Sequence, residues 1–172
     1  MRLVYAGNLG SGYDLETVIA AVKKDERLSL DIAGKGPKEA SLIAMAHSSQ
    51  ATLPVRFHGY LGAEALSKLL GECDIGVIPM RDDSYVALPY KLGDYLAAGL
   101  KVVSSLHGEC GALIERERLG AVYDFGSVDS LLEAITKTGE LGKIKTTIPE
   151  ELQAEKIYPK YVRYLESRIQ PR

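Results

Sequence analysis

Short apolar runs alternate with longer amphipathic stretches six times along the chain, and this alternation is the strongest constraint on its fold. The runs are continuously apolar, which is typical of strands buried on both faces of a parallel sheet. Strands are predicted at residues 3–6, 28–33, 55–58, 74–78, 101–103 and 121–123. Helices are predicted at residues 15–24, 37–47, 63–72, 89–98, 111–115 and 127–137. The pattern predicts an α/β fold: a Rossmann-like, doubly wound, parallel six-stranded sheet with helices on both faces.

Charge and cysteine content exclude several classes of protein. The net charge is −2, so no long-range field draws the chain to nucleic acid or to an anionic membrane. Cys73 and Cys110 are too few for a disulfide framework and lack the spacing of metal ligands, so we expect reduced thiols, no metal and a cytoplasmic location. No stretch approaches the roughly 20 apolar residues that a membrane-spanning helix needs.

The chain is predicted to contain one main domain and one appendage. Residues 1–138 form the Rossmann-like domain, residues 139–148 a polar linker, and residues 149–172 a helical segment that Pro159 breaks or kinks. Its aromatic face is expected to pack on this domain or on a partner. Because Met1 leads directly into a core strand, the sequence is also compatible with a piece of a longer protein.

Residues 88–104 combine a helix with two charged side chains near its start. Pro89 and Gly99 mark the ends of the helix, and Lys91 and Asp94 are predicted to share one face. A cation and a carboxylate beside the positive end of a helix suit a polar ligand. The alternative is a surface salt pair on an ordinary crossover helix.

The turns that follow the strands are predicted at residues 7–12, 34–37, 59–61, 79–88 and 104–111, and the glycines are concentrated there. In a doubly wound sheet, ligands bind at this carboxyl edge. The first turn matches neither the dinucleotide-binding fingerprint nor the P-loop, so a tight turn and a phosphate-binding turn both remain open. Ser104 and Ser105 lack the frame of a hydrolase nucleophile, and no catalytic residue is predicted. The residues alone predict a small-molecule site at the strand ends.

Four motifs occur in an order and spacing that extend the argument. They are YAGNLG, LDIAGKGP, VRFHGYLGAEALSKLLGECDIGVIPM and LPYKLGDYLAAGLKVVSS, within about residues 3–135. This succession resembles the C-terminal domain of retaining GT-B glycosyltransferases, the large family that includes glycogen and sucrose synthases. The resemblance implies a domain that binds a UDP- or GDP-linked sugar as donor substrate, with no cofactor. It also implies a separate N-terminal domain, in cis or in trans, that holds the acceptor. The complete enzyme would act in polysaccharide or glycoconjugate assembly, and any peripheral membrane contact would occur through the N-terminal domain.

The resemblance also implies roles for particular residues. Asp94 stands where the family has the carboxylate that holds the ribose. The backbone near Gly59, Tyr60 and Leu61 would meet the base. The start of the fourth helix, at Tyr90, Lys91 and Leu92, would line the sugar and diphosphate. The first two glycine turns would complete the donor site through Gly7, Asn8, Gly34 and Lys35.

The chain departs from the family pattern at three charged positions. The family's Arg and Lys, which neutralise the diphosphate, fall near Asn8 and Asp14, and its first Glu falls at Val86. Lys91 is the candidate to replace part of the missing positive charge. The isolated chain is therefore expected to bind donor weakly and to transfer nothing. Half of a sugar-nucleotide epimerase and a non-catalytic nucleotide-sugar-binding or regulatory domain are the alternatives.

Overall fold

The computed structural model describes residues 1–47, 54–142, 149 and 152–166, and within them it contains one parallel sheet of six strands. The strands are β1 (Arg2–Ala6), β2 (Ser29–Ala33), β3 (Val55–Gly59), β4 (Ile75–Ile78), β5 (Lys101–Ser104) and β6 (Gly120–Val122). Their order in the sheet is β3-β2-β1-β4-β5-β6. This is the strand order of a Rossmann fold, and it reverses between β1 and β4. The predicted fold class is confirmed.

Helices follow the strands one by one. They are α1 (Leu15–Lys24), α2 (Glu39–His47), α3 (Ala63–Gly71), α4 (Tyr90–Ala97), α5 (Glu109–Arg116), α6 (Val128–Glu140) and α7 (Ala154–Glu166). Asp14 caps α1 as predicted, because its carboxylate accepts the backbone N–H of Thr17 at 3.1 Å. None of the described helices combines the length and apolarity needed to cross a bilayer.

Two apolar clusters cover the two faces of the sheet. Side chains of α1, α2 and α6, such as Ile19 and Ile135, pack on one face. Side chains of α3, α4 and α5, such as Leu70 and Ile114, pack on the other. Burial on both faces explains why the strands are continuously apolar in sequence.

The C-terminal part differs from its prediction in two respects. Helix α6 continues to Glu140, two residues into the predicted linker, and residues 143–148 lie outside the described part of the chain. Helix α7 is continuous across Pro159, so the predicted break is wrong, while a kink there stays a prediction. A proline inside a helix removes one backbone hydrogen bond, and here the neighbouring turns keep the helix intact. Of the predicted aromatic face, Tyr158 is exposed, and the other members are outside the described side chains.

Candidate functional site

The turns after β1, β2 and β3 are joined to one another by backbone hydrogen bonds at the carboxyl edge of the sheet. The amide of Gly7 donates to the carbonyl of Ala33 at 2.9 Å, and the amide of Gly34 donates to that of Gly59 at 2.7 Å. These amides are therefore engaged within the protein and do not form a phosphate nest. The structure thus brings three predicted site residues together, and phosphate binding by the other amides of these turns stays a prediction.

Gly34 is required by the close approach of the first two turns. Its φ is +143°, and a Cβ at this position would overlap the carbonyl oxygen of Gly7. Next to it, Lys35 is exposed, and its Cε lies 3.7 Å from the place that a Cβ at Gly59 would occupy. Tyr60, in the following turn, is 77% exposed, whereas Leu61 packs partly on the core. The turns therefore form a rigid platform with exposed side chains.

Helix α4 is fixed on this edge by Tyr95. The Tyr95 ring is fully buried against Gly76 of β4, where a Cβ would overlap the ring. Its hydroxyl accepts the backbone N–H of Ala6 at 3.0 Å, so the helix is tied to the strands on both sides of the reversal point. The Leu92 side chain is fully buried, so only its backbone is placed to line a ligand, and its role at the site stays a prediction. Tyr90, at the helix start, is 97% exposed.

Lys91 points into the protein. Its Nζ lies 4.3 Å from the ring centroid of Tyr5 and 3.9 Å from that of Tyr13. The atom is buried and has no hydrogen-bond partner among the residues that the structure describes. Burial lowers the pKa of Lys91 to about 7, because an ammonium loses its hydration there. The alternative of a surface salt pair with Asp94 is therefore wrong.

The other positions at which the sequence has or lacks an expected charge lie at the surface or at a helix cap. Asp94 is exposed, and within the described ranges it forms no ion pair. Asn8 is exposed too, and its backbone carbonyl accepts the hydroxyl of Tyr5 at 2.6 Å. Asp14, near the position of a family lysine, is the cap of α1, and Val86 is an exposed apolar residue. Lys91 is thus the buried cation beside the Gly7 turn.

A cavity of about 520 Å³ opens beside the connection from β4 to α4. The carboxylates of Asp82, Glu109 and Asp124 line it, together with the rings of Tyr85 and Phe125. Carboxylates accept hydrogen bonds from hydroxyl groups and repel phosphates, so the chemistry of the cavity suits a hydroxyl-rich group. Residues 79–88 and 104–111 were predicted at this edge, whereas Asp124 and Phe125 were not.

Tyr5 and Tyr13 are also site residues that the sequence does not reveal. Tyr5 belongs to an apolar strand, where an aromatic residue predicts only core packing. Tyr13 lies just after a glycine turn, and no spacing rule connects it with Lys91, which is 78 residues later. Within the described ranges, no group of three metal-ligating side chains is arranged to hold an ion.

Comparisons with known proteins agree with this architecture. A model of the family "glycosyl transferases group 1" matches residues 2–140, and no curated protein matches the chain significantly. The catalytic domain of cholesterol-alpha-glucosyltransferase from Helicobacter pylori is similar in structure, with a TM-score of 0.66 and 16% identity over 98% of this chain and 99% of that one.

Two further solved structures share the fold over part of their length. Anabaena HepE, in complex with UDP and glucose, has a TM-score of 0.73 and 16% identity over 96% of this chain and 48% of its own. The lipopolysaccharide outer core galactosyltransferase WaaB has a TM-score of 0.74 and 14% identity over 98% of this chain and 49% of its own. The chain thus spans about half the length of these two proteins, and at these identities the likeness establishes the fold.

Proposed function

Because the chain belongs to the glycosyl transferases group 1 family, we propose that it is the donor-binding part of a GT-B glycosyltransferase. It would bind a nucleoside diphosphate sugar, and the complete enzyme would transfer that sugar with retention during polysaccharide or glycoconjugate assembly. The solved complex of HepE with UDP and glucose supports a UDP-linked donor.

One observation carries the proposal: the ammonium of Lys91 is buried at the strand ends without a partner in the described part of the chain. A buried charge with no counter-ion costs several kcal/mol, and a ligand anion relieves that cost. Phosphate oxygens are suitable partners, because hydrogen bonds between two charged groups are the strong ones. The location of this cation therefore favours a diphosphate ligand.

The other parts of the donor have candidate places at the same carboxyl edge of the sheet. The base would lie on the turn of Gly59, Tyr60 and Leu61, and the ribose hydroxyls would bond to Asp94, whose carboxylate is exposed and unpaired in the described residues. The sugar would occupy the acidic cavity that Asp82 and Glu109 line, since hydroxyl groups suit those carboxylates.

In this mechanism the chain does little covalent work. Lys91 would stabilise the negative charge that develops on the leaving diphosphate, and the rigid turns would hold the donor in place while the bond to the sugar breaks. A second domain, in cis or in trans, would present the acceptor and exclude water. We therefore expect the 172-residue chain to bind donor without transferring it.

The binding part of the proposal is tested by calorimetric titration with UDP and GDP. We expect a dissociation constant of about 0.1–1 mM for the preferred nucleotide, equivalent to roughly −4 to −5.5 kcal/mol. Asp94→Asn should weaken binding about tenfold, because a charged acceptor is lost. Glu26→Gln, which removes an exposed carboxylate outside the candidate site, is the matched control and should leave binding unchanged. Failure of both nucleotides to bind would favour the non-catalytic alternative.

The division of labour is tested by incubating the isolated chain with UDP-sugars and following release of UDP. No release above background is expected, because in our proposal a second domain, in cis or in trans, presents the acceptor. Appreciable turnover would contradict the proposed need for that domain, and interconversion of two sugar epimers would favour the epimerase alternative.

A further inference from the structure

Two aromatic rings hold the Lys91 ammonium where an ion-pair partner would ordinarily be expected. Tyr5 comes from β1 and Tyr13 from the connection between β1 and α1, and their ring centroids lie 5.5 Å apart in an edge-to-face arrangement. The Lys91 Nζ lies over both rings, at 4.3 and 3.9 Å from the centroids. Both distances are within the range at which a ring face attracts a cation.

The rings are themselves fixed by contacts that involve no ligand. Tyr5 is fully buried, and its hydroxyl donates to the carbonyl of Asn8 at 2.6 Å. The partly buried Tyr13 ring packs against the core, and the Tyr13 backbone forms an antiparallel bridge with Met80, two residues after β4. Burial raises the pKa of Tyr5, so its ring is neutral throughout the physiological range. The two rings are therefore present in their contact positions before a ligand binds.

We infer that Tyr5 and Tyr13 are positioning residues that favour the charged form of Lys91 and hold its ammonium, with its N–H donors unfilled, beside the Gly7 turn until an anionic ligand binds. A ring attracts the ammonium without accepting its N–H groups in strong hydrogen bonds. A carboxylate in the same place would neutralise the cation and compete with phosphate oxygens. The identity of the ligand, a nucleoside diphosphate, rests on the proposed function, whereas the holding role does not.

The groups around Nζ make the direction of the effect definite. Tyr5 and Tyr13 face it from the strand and the connection. Its own helix carries the buried Tyr95 and the exposed Asp94, and neither forms a hydrogen bond or ion pair with Nζ. No carboxylate of the described chain forms an ion pair with it. Burial lowers the pKa of Lys91, and attraction to the rings opposes that effect. Removing a ring should therefore lower the pKa of Lys91 further.

The test is an NMR titration of lysine side chains labelled with ¹³C, without nucleotide, in wild type, Tyr13→Leu and Tyr13→Phe. The Lys91 signal is assigned by its loss in Lys91→Arg. Tyr13→Leu should lower the pKa of Lys91 by about 0.5–1.5 units, and Tyr13→Phe, which keeps the ring, should restore the wild-type value. An unchanged or raised pKa in Tyr13→Leu would overturn the inference. Tyr13→Met, which also lacks a ring, gives the same test if the leucine variant does not fold.

A second readout separates this inference from the proposed function. Between pH 6 and 8.5, affinity for UDP should fall as Lys91 loses its proton. In Tyr13→Leu this fall should occur at a lower pH than in wild type, and the difference in pH should equal the difference in the Lys91 pKa measured by NMR. Affinity for uridine, which carries no phosphate, should show no such decline. If the pKa shifts as expected but no variant binds UDP, the holding role stands and the proposed function fails.

Discussion

Two buried charges in this molecule, Asp31 and Lys91, have opposite surroundings. Asp31 lies in β2 with its side chain fully buried, and three side chains surround its carboxylate. Arg56 donates from Nε and Nη2, both at 2.9 Å, Arg2 donates from Nε at 2.7 Å, and His58 Nε2 lies at 2.6 Å. Lys91 has two ring faces and no hydrogen-bond partner in the residues that the structure describes.

The pKa values of the two groups express the same difference. Burial by itself raises the pKa of Asp31, but the hydrogen bonds from Arg56, Arg2 and His58 more than offset it and hold the pKa well below its usual range. Burial lowers the pKa of Lys91 to about 7, and the two ring contacts are what opposes this effect in the described part of the chain. The buried carboxylate of Asp31 has hydrogen-bond partners within the protein and joins neighbouring strands. The buried ammonium of Lys91 has none in the described residues, so it is available to a ligand.

The largest effect on stability is expected from Asp31→Asn. This change leaves two arginines facing a neutral amide, and it should lower the free energy of unfolding by about 3 kcal/mol at pH 7. Urea denaturation measures it. This loss should shrink as the pH falls below about 4, because the carboxylate in the unfolded chain then takes up a proton while the folded Asp31, with its lowered pKa, stays ionised. Asp129→Asn, which removes an exposed partner of Lys24, is the control and should have little effect. An equal loss in the two variants would remove the distinction between a satisfied buried charge and a surface pair.

The pH dependence of stability should show the opposite behaviour for Lys91. In the unfolded chain a lysine has a pKa of about 10.4, so between pH 7 and 10 the unfolded state binds more protons at this position than the folded state. The cost of burying Lys91 therefore falls as the pH rises. From pH 7 to 9 the stability of wild type should increase by about 2 kcal/mol relative to Lys91→Met. Taking the difference between the two proteins cancels the titration of their cysteines and tyrosines. Parallel curves for the two proteins would show that Lys91 has an ordinary pKa.

At pH 7 alone, Lys91→Met should raise the free energy of unfolding by about 1 kcal/mol, because an apolar chain of similar length replaces an unpaired buried cation. Loss of the ring contacts offsets part of the gain. Thermal and urea denaturation give the sign. A destabilisation like that of Asp31→Asn would mean that Lys91 is held by the protein as a structural charge.

The smallest effect is expected from Arg56→Gln. The Arg56 side chain is half exposed, and Asp31 keeps Arg2 and His58 as partners when it is replaced. We expect a loss of less than about 1 kcal/mol by urea denaturation. A loss as large as that of Asp31→Asn would show that the cluster depends on a single arginine.

The sheet and its order of elements could be predicted because each element has its own local signal. Strands that are buried on both faces are continuously apolar, and Asp14 before Leu15 is an ordinary helix cap. The carboxyl edge as the place of the site follows from the fold class. Pro159 was misleading, because a proline weakens a helix without always ending it.

The chemistry of the site was less accessible to prediction. Residues three apart on a helix share a side, which predicted that Lys91 would pair with Asp94. The long lysine side chain instead reaches under the Gly7 turn to Tyr5 and Tyr13, a contact across three elements that no local pattern encodes. The backbone bonds of Gly7 and Gly34 also join the first three turns to one another, and no local pattern indicates those bonds.

The most direct test of the role of Lys91 is a comparison of UDP and uridine binding by wild type and Lys91→Met at pH 6.5, measured by calorimetry. Loss of charge-assisted hydrogen bonds to the diphosphate should weaken UDP binding at least about tenfold, while uridine binding stays the same. Unchanged UDP affinity in Lys91→Met would contradict the assignment of this buried ammonium to the diphosphate of the donor.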